Sequence, residues 1–287
     1  MRERYMARLF ALFVLPPVLR GFIALLVAGA TFPLCGVMVL HLNLVPLRYM
    51  LMHGVILGGA VALAFSLPLL PSIVVINVLL VIAMIAFTKN SAHGFGSTSA
   101  AAMVVSMALA SFIMHVRDVP AKDTLSLMWG SPFALTKSDI LILMLLAFVL
   151  ALYTICNFKN IIALFYNQEI AFSLGINVRA HYTAMILIVA LTVALAMKLL
   201  GAFLIDALLI FPVLTSSLFL EYRKKMQGIK MLFIASSIAG FLFAFVGYVA
   251  AIMFNFPTGA TVALVAGVAY VINFFVRQLL FTDGRWL

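Results

Sequence analysis

Charge is scarce in this chain. Only 9% of its 287 residues are charged, against 66% hydrophobic. No soluble domain keeps a wetted surface with so little charge, so that class is excluded. Acids are scarcer still, with 8 Asp and Glu against 18 Lys and Arg. Cysteine is nearly missing. Cys35 and Cys156 lie inside or at the end of apolar runs, without a disulfide pattern or metal-ligand spacing, and read as small packing residues. No polar stretch is long enough for a nucleotide-binding or catalytic domain. There is no Walker A phosphate loop, no HExxH, no Gly-x-Ser-x-Gly and no pair of aspartates within the apolar runs. Enzyme chemistry, ATP hydrolysis included, is therefore not expected of this chain. The net charge of +10 is not a nucleic-acid footprint, because it falls in the short loops between apolar runs.

What is present is apolar length. Runs of about 20 residues, enough to cross a bilayer, recur from end to end. They do not alternate apolar and polar residues as barrel strands do, so helices must satisfy the backbone in lipid. The fold class is all-α, a polytopic membrane protein with 1–287 as a single transmembrane domain. About nine spans are expected, near 18–42, 50–69, 71–88, 98–116, 138–157, 180–199, 201–220, 230–253 and 258–280. The most basic loop, Glu221-Tyr222-Arg223-Lys224-Lys225 with Lys230, should be cytoplasmic. Counting spans from it puts Arg48, Lys89, the Lys159–Arg179 loop, Arg277 and Arg285 on the same side. Arg117, Lys122 and Lys137 fall outside. The basic start, interrupted by Pro16-Pro17, suits an interfacial helix over 1–17 better than a span. It does not read as a secretory signal, because no small-residue cleavage site follows and a full span begins at once.

Asp206 is the only charge within Leu200–Leu220. A carboxylate at that depth costs from about 3 to more than about 10 kcal/mol, depending on its solvation. Such groups persist where they face other helices or a water-filled path, so Asp206 marks an intramembrane cation or proton site. The alternative is an acid that only bonds a neighbouring helix.

Asn157–Arg179 is an unusual loop. Within it, Asn167 to Gly175 reads as a very short helix. Asn167 is a good N-cap, Glu169 suits the positive end, and Gly175 suits a left-handed stop. Ile170, Ala171 and Leu174 are expected on one face. Two turns are not stable alone, so this helix must pack on its own membrane domain or on a partner.

Several segments together resemble the permease subunits of ABC transporters for zinc, manganese and iron(II). Gln168–Arg179 is similar to the family's cytoplasmic coupling segment, with its acid, alanine and small-residue/glycine/hydrophobic step. Leu127-Met128-Trp129-Gly130-Ser131 with Ser138-Asp139 resembles the "LWG…SD" stretch before the preceding helix. Leu199–Pro212 resembles the "VG-LL--ALL-IP" helix, and Pro257-Thr258-Gly259-Ala260-Thr261 the "SGA" start of the last helix. These matches run collinearly from 127 to 261. In the first half, Leu51–Ala60 aligns with "LSHAVLPGVA", placing His53 on the family histidine and Gly58 on its glycine. The family's acid, one turn before that histidine, is replaced by Tyr49. Its serine and proline are Met52 and Leu57.

The resemblance implies a permease subunit of an ATP-driven importer in the cytoplasmic (inner) membrane. It would pair with a second permease subunit and take substrate from an external metal-binding protein. It would engage cytoplasmic ATP-binding subunits through a coupling loop at 158–179, by way of Asn167, Glu169, Ile170, Ala171, Leu174 and Gly175. It also implies that His53 meets the metal, whereas the residues alone leave a histidine packed and bonded across helices equally open. Asp206 stands where the family has a small or hydroxyl residue, so an acid lost at 49 is matched by one gained at 206. A carboxylate with a neutral imidazole suits zinc, manganese or iron(II), which would be cargo rather than a permanently bound cofactor. His41, His93, His115 and His181 lie near span ends or in loops and read as interfacial residues. A function of another class is a proton-coupled secondary carrier that titrates Asp206. It has no need of the Asn157–Arg179 loop.

Overall fold

The computed structural model describes residues 13, 15–88, 94–120, 122, 130–222 and 228–281. These are helical, with a single 3₁₀ turn at Pro132–Ala134 and no strand among the described residues. The helices are α1 Pro16–His41, α2 Val45–Ala64, α3 Leu69–Thr88, α4 Gly94–Val116, α5 Lys137–Cys156, α6 Phe158–Tyr166, α7 Gln168–Ser173, α8 Val178–Leu200, α9 Ala202–Leu209, α10 Phe211–Tyr222, α11 Ile229–Phe254 and α12 Thr258–Phe281. Nine segments among the described residues are long and apolar enough to span a membrane, with α9 and α10 forming one of them. The chain is an all-α, multi-pass membrane protein. The expected helix over 1–17 and the basic stretch 223–227 fall largely or wholly outside the described residues.

Polar residues at the helix ends set the boundaries. Asn43, Ser66, Asp118 and Asn255 all take positive φ although none is glycine. At Asn43 the Leu44 N–H reaches the Val39 carbonyl at 2.8 Å and the Asn43 N–H reaches Leu40 at 3.3 Å, the paired bonds of a Schellman stop. Ser66 and Asp118 close α2 and α4 in the same way. Thr136 and Asp139 form a reciprocal cap on α5. The Thr136 N–H donates to Asp139 Oδ2 at 3.0 Å and the Asp139 N–H donates to Thr136 Oγ1 at 3.1 Å. The second span was expected at 50–69 but occupies 45–64. Pro46 does not break the helix. It lies in the first turn, where a missing N–H costs nothing. This shift moves Arg48 from a loop into α2, where it is 1% exposed with its guanidinium 4.3 Å from the centre of the Tyr49 ring.

By internal contacts the chain forms two compact units. One comprises 1–37, 131–151 and 203–287; the other comprises 38–130 and 152–202. In the first, α11 packs on α10 and α12. Gly29 of α1 and Gly240 of α11 meet backbone to backbone, leaving no room for a Cβ on either. Tyr248 closes one end of this unit, its hydroxyl donating to the Val18 carbonyl at 2.6 Å within a ring cluster of Phe13, Phe22 and Phe133. In the second unit, α2 packs against α3, α4 and α8. Its stripe Gly54-x-x-x-Gly58 faces α3. A Cβ on Gly58 would lie 2.7 Å from Ile73 Cα, and one on Gly54 would lie 2.5 Å from Asn77 Oδ1. Ile56, Leu57 and Ala60 bury the adjacent face against Ala110 of α4.

Candidate functional site

The sequence placed chemistry at three places, and the structure gives each a distinct setting. His53 lies on α2, in the second unit, partly buried. Its Nδ1 is 2.8 Å from the Tyr49 carbonyl oxygen, one turn earlier. A carbonyl only accepts, so Nδ1 carries the proton and the lone pair sits on Nε2. Metal-binding imidazoles are commonly fixed this way, with the far nitrogen held by a backbone carbonyl. The residue that replaced the family acid thus contributes through its main chain.

Asp206 lies on α9, in the first unit, partly buried. Its neighbours Leu204, Ile205, Ala207, Leu208 and Leu209 are all buried. The expected single span over 201–220 breaks three residues further on. Pro212 has no N–H to offer the Leu208 carbonyl. The Val213 N–H turns to Ile210 O at 3.1 Å, which leaves the Leu209 carbonyl outside the usual helical ladder. That oxygen lies against Gly36 of α1, where any Cβ would overlap it. Asp206 therefore sits in the last turn of a short helix. The partial negative charge of that end disfavours a carboxylate and favours a cation beside it. Broken helices with exposed carbonyl ends are a recurrent way of building ion sites within membranes.

His53 and Asp206 belong to different units. Among the described residues, no three His, Cys, Asp or Glu side chains cluster as a metal site would require.

The short helix expected after Asn167 forms as α7. Asn167 Oδ1 accepts from the N–H groups of Glu169 at 2.6 Å and Ile170 at 3.2 Å. Gly175 takes φ +77°, and the Ile176 and Gly175 N–H groups close a Schellman stop on Ala171 and Phe172. Two expectations need correction. First, Asn157–Arg179 is not a loop with one short helix, because α6 fills its first half and buries Ile161 and Leu164. That i, i+3 apolar pair was the available signal. Second, Ile170, Ala171 and Leu174 are not buried together. Ala171 is buried, whereas Ile170 and Leu174 are 57% and 69% exposed. A small side chain lets α7 sit close on its own chain, which turns the residues one position away outward. Phe172, 75% exposed, was missed. Beside it runs an open groove of about 750 Å³, lined among others by Gln168, Ile176, Arg179 and Tyr182. The "LWG" glycine also finds a role. Gly130 takes φ +54° and packs on the backbone of Leu200 and Gly201, so close that no Cβ fits.

A family model described as the ABC 3 transport family matches residues 15–277. The chain belongs to the ABC 3 transport family. The resemblance read between residues 127 and 261 thus extends over nearly the whole chain. Among curated relatives, the high-affinity zinc uptake system membrane protein ZnuB of Haemophilus influenzae is 25% identical over 92% of this chain and 98% of its own. The manganese transport system membrane protein MntC of Listeria monocytogenes is 27% identical over 57% of each chain. Among solved structures, PsaBC of Streptococcus pneumoniae in complex with Fab superposes with a TM-score of 0.79 at 20% identity, covering 96% of both chains. At that identity the likeness concerns the fold. The shared fold runs through this chain almost end to end.

Proposed function

We propose that this chain is the permease subunit of an ATP-driven importer for a divalent transition-metal ion, resident in the cytoplasmic membrane. The observation that carries the reading is Asp206, an acid in the last turn of α9, where the local field calls for a cation. His53, with its Nε2 lone pair held available, supports the same chemistry. Relatives described as zinc and manganese transport proteins support the cargo class. ATP would be hydrolysed by cytoplasmic subunits seated on α7. Family membership favours this over a proton-coupled carrier. The expected assembly has two permease subunits and an external metal-binding protein.

The test is uptake of radiolabelled zinc and manganese by cells carrying the chain with its partner subunits. Asp206→Asn keeps shape and removes charge. Uptake per molecule should collapse while the thermal stability of the purified protein holds or rises, because the burial cost of the charge is gone. His53→Ala should lose uptake as well. Normal metal-dependent growth of the Asp206→Asn strain in metal-poor medium would refute the site.

A further inference from the structure

Asn77 is the polar group this reading does not use. It lies in the middle of α3, a span of mean hydropathy 2.8, and is 1% exposed. Its Nδ2 donates to the Ile73 carbonyl at 3.0 Å, which fixes the amide orientation. Its Oδ1 is buried and accepts no hydrogen bond. That oxygen points at Gly54, where a Cβ would come within 2.5 Å. Gly54 follows His53 directly in the chain. The contact from a glycine Cα–H is a weak substitute for an N–H or O–H donor. A buried carbonyl acceptor without a donor is costly, and an apolar residue of the same shape would avoid that cost. A buried acceptor of this kind calls for an explanation of its own.

We propose that Asn77 is a specificity-determining residue of the cation path. Its amide oxygen accepts a hydrogen bond from a water molecule carried by the cargo cation as the ion passes His53, with α2 and α3 parted at Gly54. This rests on the metal-importer reading. The donor is a metal-bound water, and no covalent bond to the protein forms or breaks. A cation that keeps its waters, manganese above zinc, depends on this acceptor most.

The experiment compares wild type, Asn77→Leu, Asn77→Gln and His53→Ala in cells with the full transporter. Uptake of labelled manganese and zinc is normalised to the amount of chain in the membrane. The thermal midpoint of each purified variant is measured alongside. Asn77→Leu should keep or raise the midpoint and leave the half-saturating concentration unchanged. Its maximal manganese rate per molecule should fall about tenfold or more, with zinc affected less. Asn77→Gln, which restores an acceptor, should recover part of the manganese rate. Manganese and zinc rates of Asn77→Leu within twofold of wild type would overturn the proposal. So would a lowered midpoint with both metals reduced equally and no recovery in Asn77→Gln. If wild type carries neither of these metals nor iron(II), the importer reading itself fails. If wild type carries them and His53→Ala does not, a normal Asn77→Leu removes only the role given to Asn77.

Discussion

Single residues in this protein act through what they omit as much as through what they carry. Gly36 has no chemistry of its own. Its missing side chain lets α1 lie against the Leu209 carbonyl, where Pro212 breaks the span just beyond Asp206. The Leu209 carbonyl is covered by α1, and Asp206 is held at the end of a short helix. Gly36→Ala should therefore act at a distance. Overpacking at a rigid contact costs about 1 to 3 kcal/mol, and here the opposing atom is backbone, which cannot turn aside. The purified variant should melt several degrees lower, and uptake should fall although no ionisable group has changed. Gly267→Ala on α12 is the control. Its added methyl would meet only the far edge of the Phe211 ring, at 3.8 Å, and should change the melting temperature little. Equal melting temperatures for Gly36→Ala and wild type would show that the α1 contact is looser than its geometry implies.

At the scale of the element, α7 is the informative piece. It has six residues, too few to hold a helix in water. The Asn167 cap, the Gly175 stop and the burial of Ala171 hold it. What it presents outward is apolar, since Ile170, Phe172 and Leu174 are all exposed on a segment outside the spans. Adjacent exposed apolar side chains of this kind suit a protein or membrane contact, and the coupling reading predicts a protein. Glu169→Arg puts a cation at the positive end of α7, and Phe172→Asp puts a charge at the centre of the apolar surface. Both variants should reach the membrane in normal amounts yet lose their ATPase subunit on co-purification and lose uptake. Retention of both properties in Phe172→Asp would remove α7 from the coupling role.

The same element shows what the sequence makes legible. The cap and stop were readable because Asn167 and Gly175 act on their immediate neighbours. The inward turn of Ala171 was not, because it depends on packing that local periodicity cannot see. α6 was hidden for a related reason. Only two of its residues, Ile161 and Leu164, are deeply buried, and they sit beside other apolar residues that blur the pattern. The break at Ile210 and the Asn77–Gly54 contact are tertiary facts. Pro212 hinted at the first, and the Gly54-x-x-x-Gly58 stripe at the second.

For the whole molecule, the spans and their loops fix a sidedness that can be tested without knowing the cargo. Nine segments among the described residues are long and apolar enough to cross, and successive crossings would alternate the loops between the two faces of the membrane. The cation-rich face takes the α5–α8 connection, with Lys159 and Arg179, and the start of α11, with Lys230. The ion pair of Glu221 and Arg277, at 2.9 Å, joins the ends of α10 and α12 on that same face. Partly exposed, it adds at most about 1 kcal/mol, so orientation rests on the loop charges rather than on this bond. The loop charges predict that α7 lies on the cytoplasmic face, where the proposed ATPase subunits would reach it. Cysteines placed at Lys230 and Lys122 test this in intact cells, against a background in which Cys35 and Cys156 are changed to serine. Both positions are exposed and lie outside the apolar cores of the spans. Lys230→Cys should react only with a maleimide that crosses the membrane, and Lys122→Cys should react with an impermeant one. The opposite pattern would put α7 outside the cell, beyond the reach of ATP-hydrolysing subunits, and the coupling role would fall with the orientation.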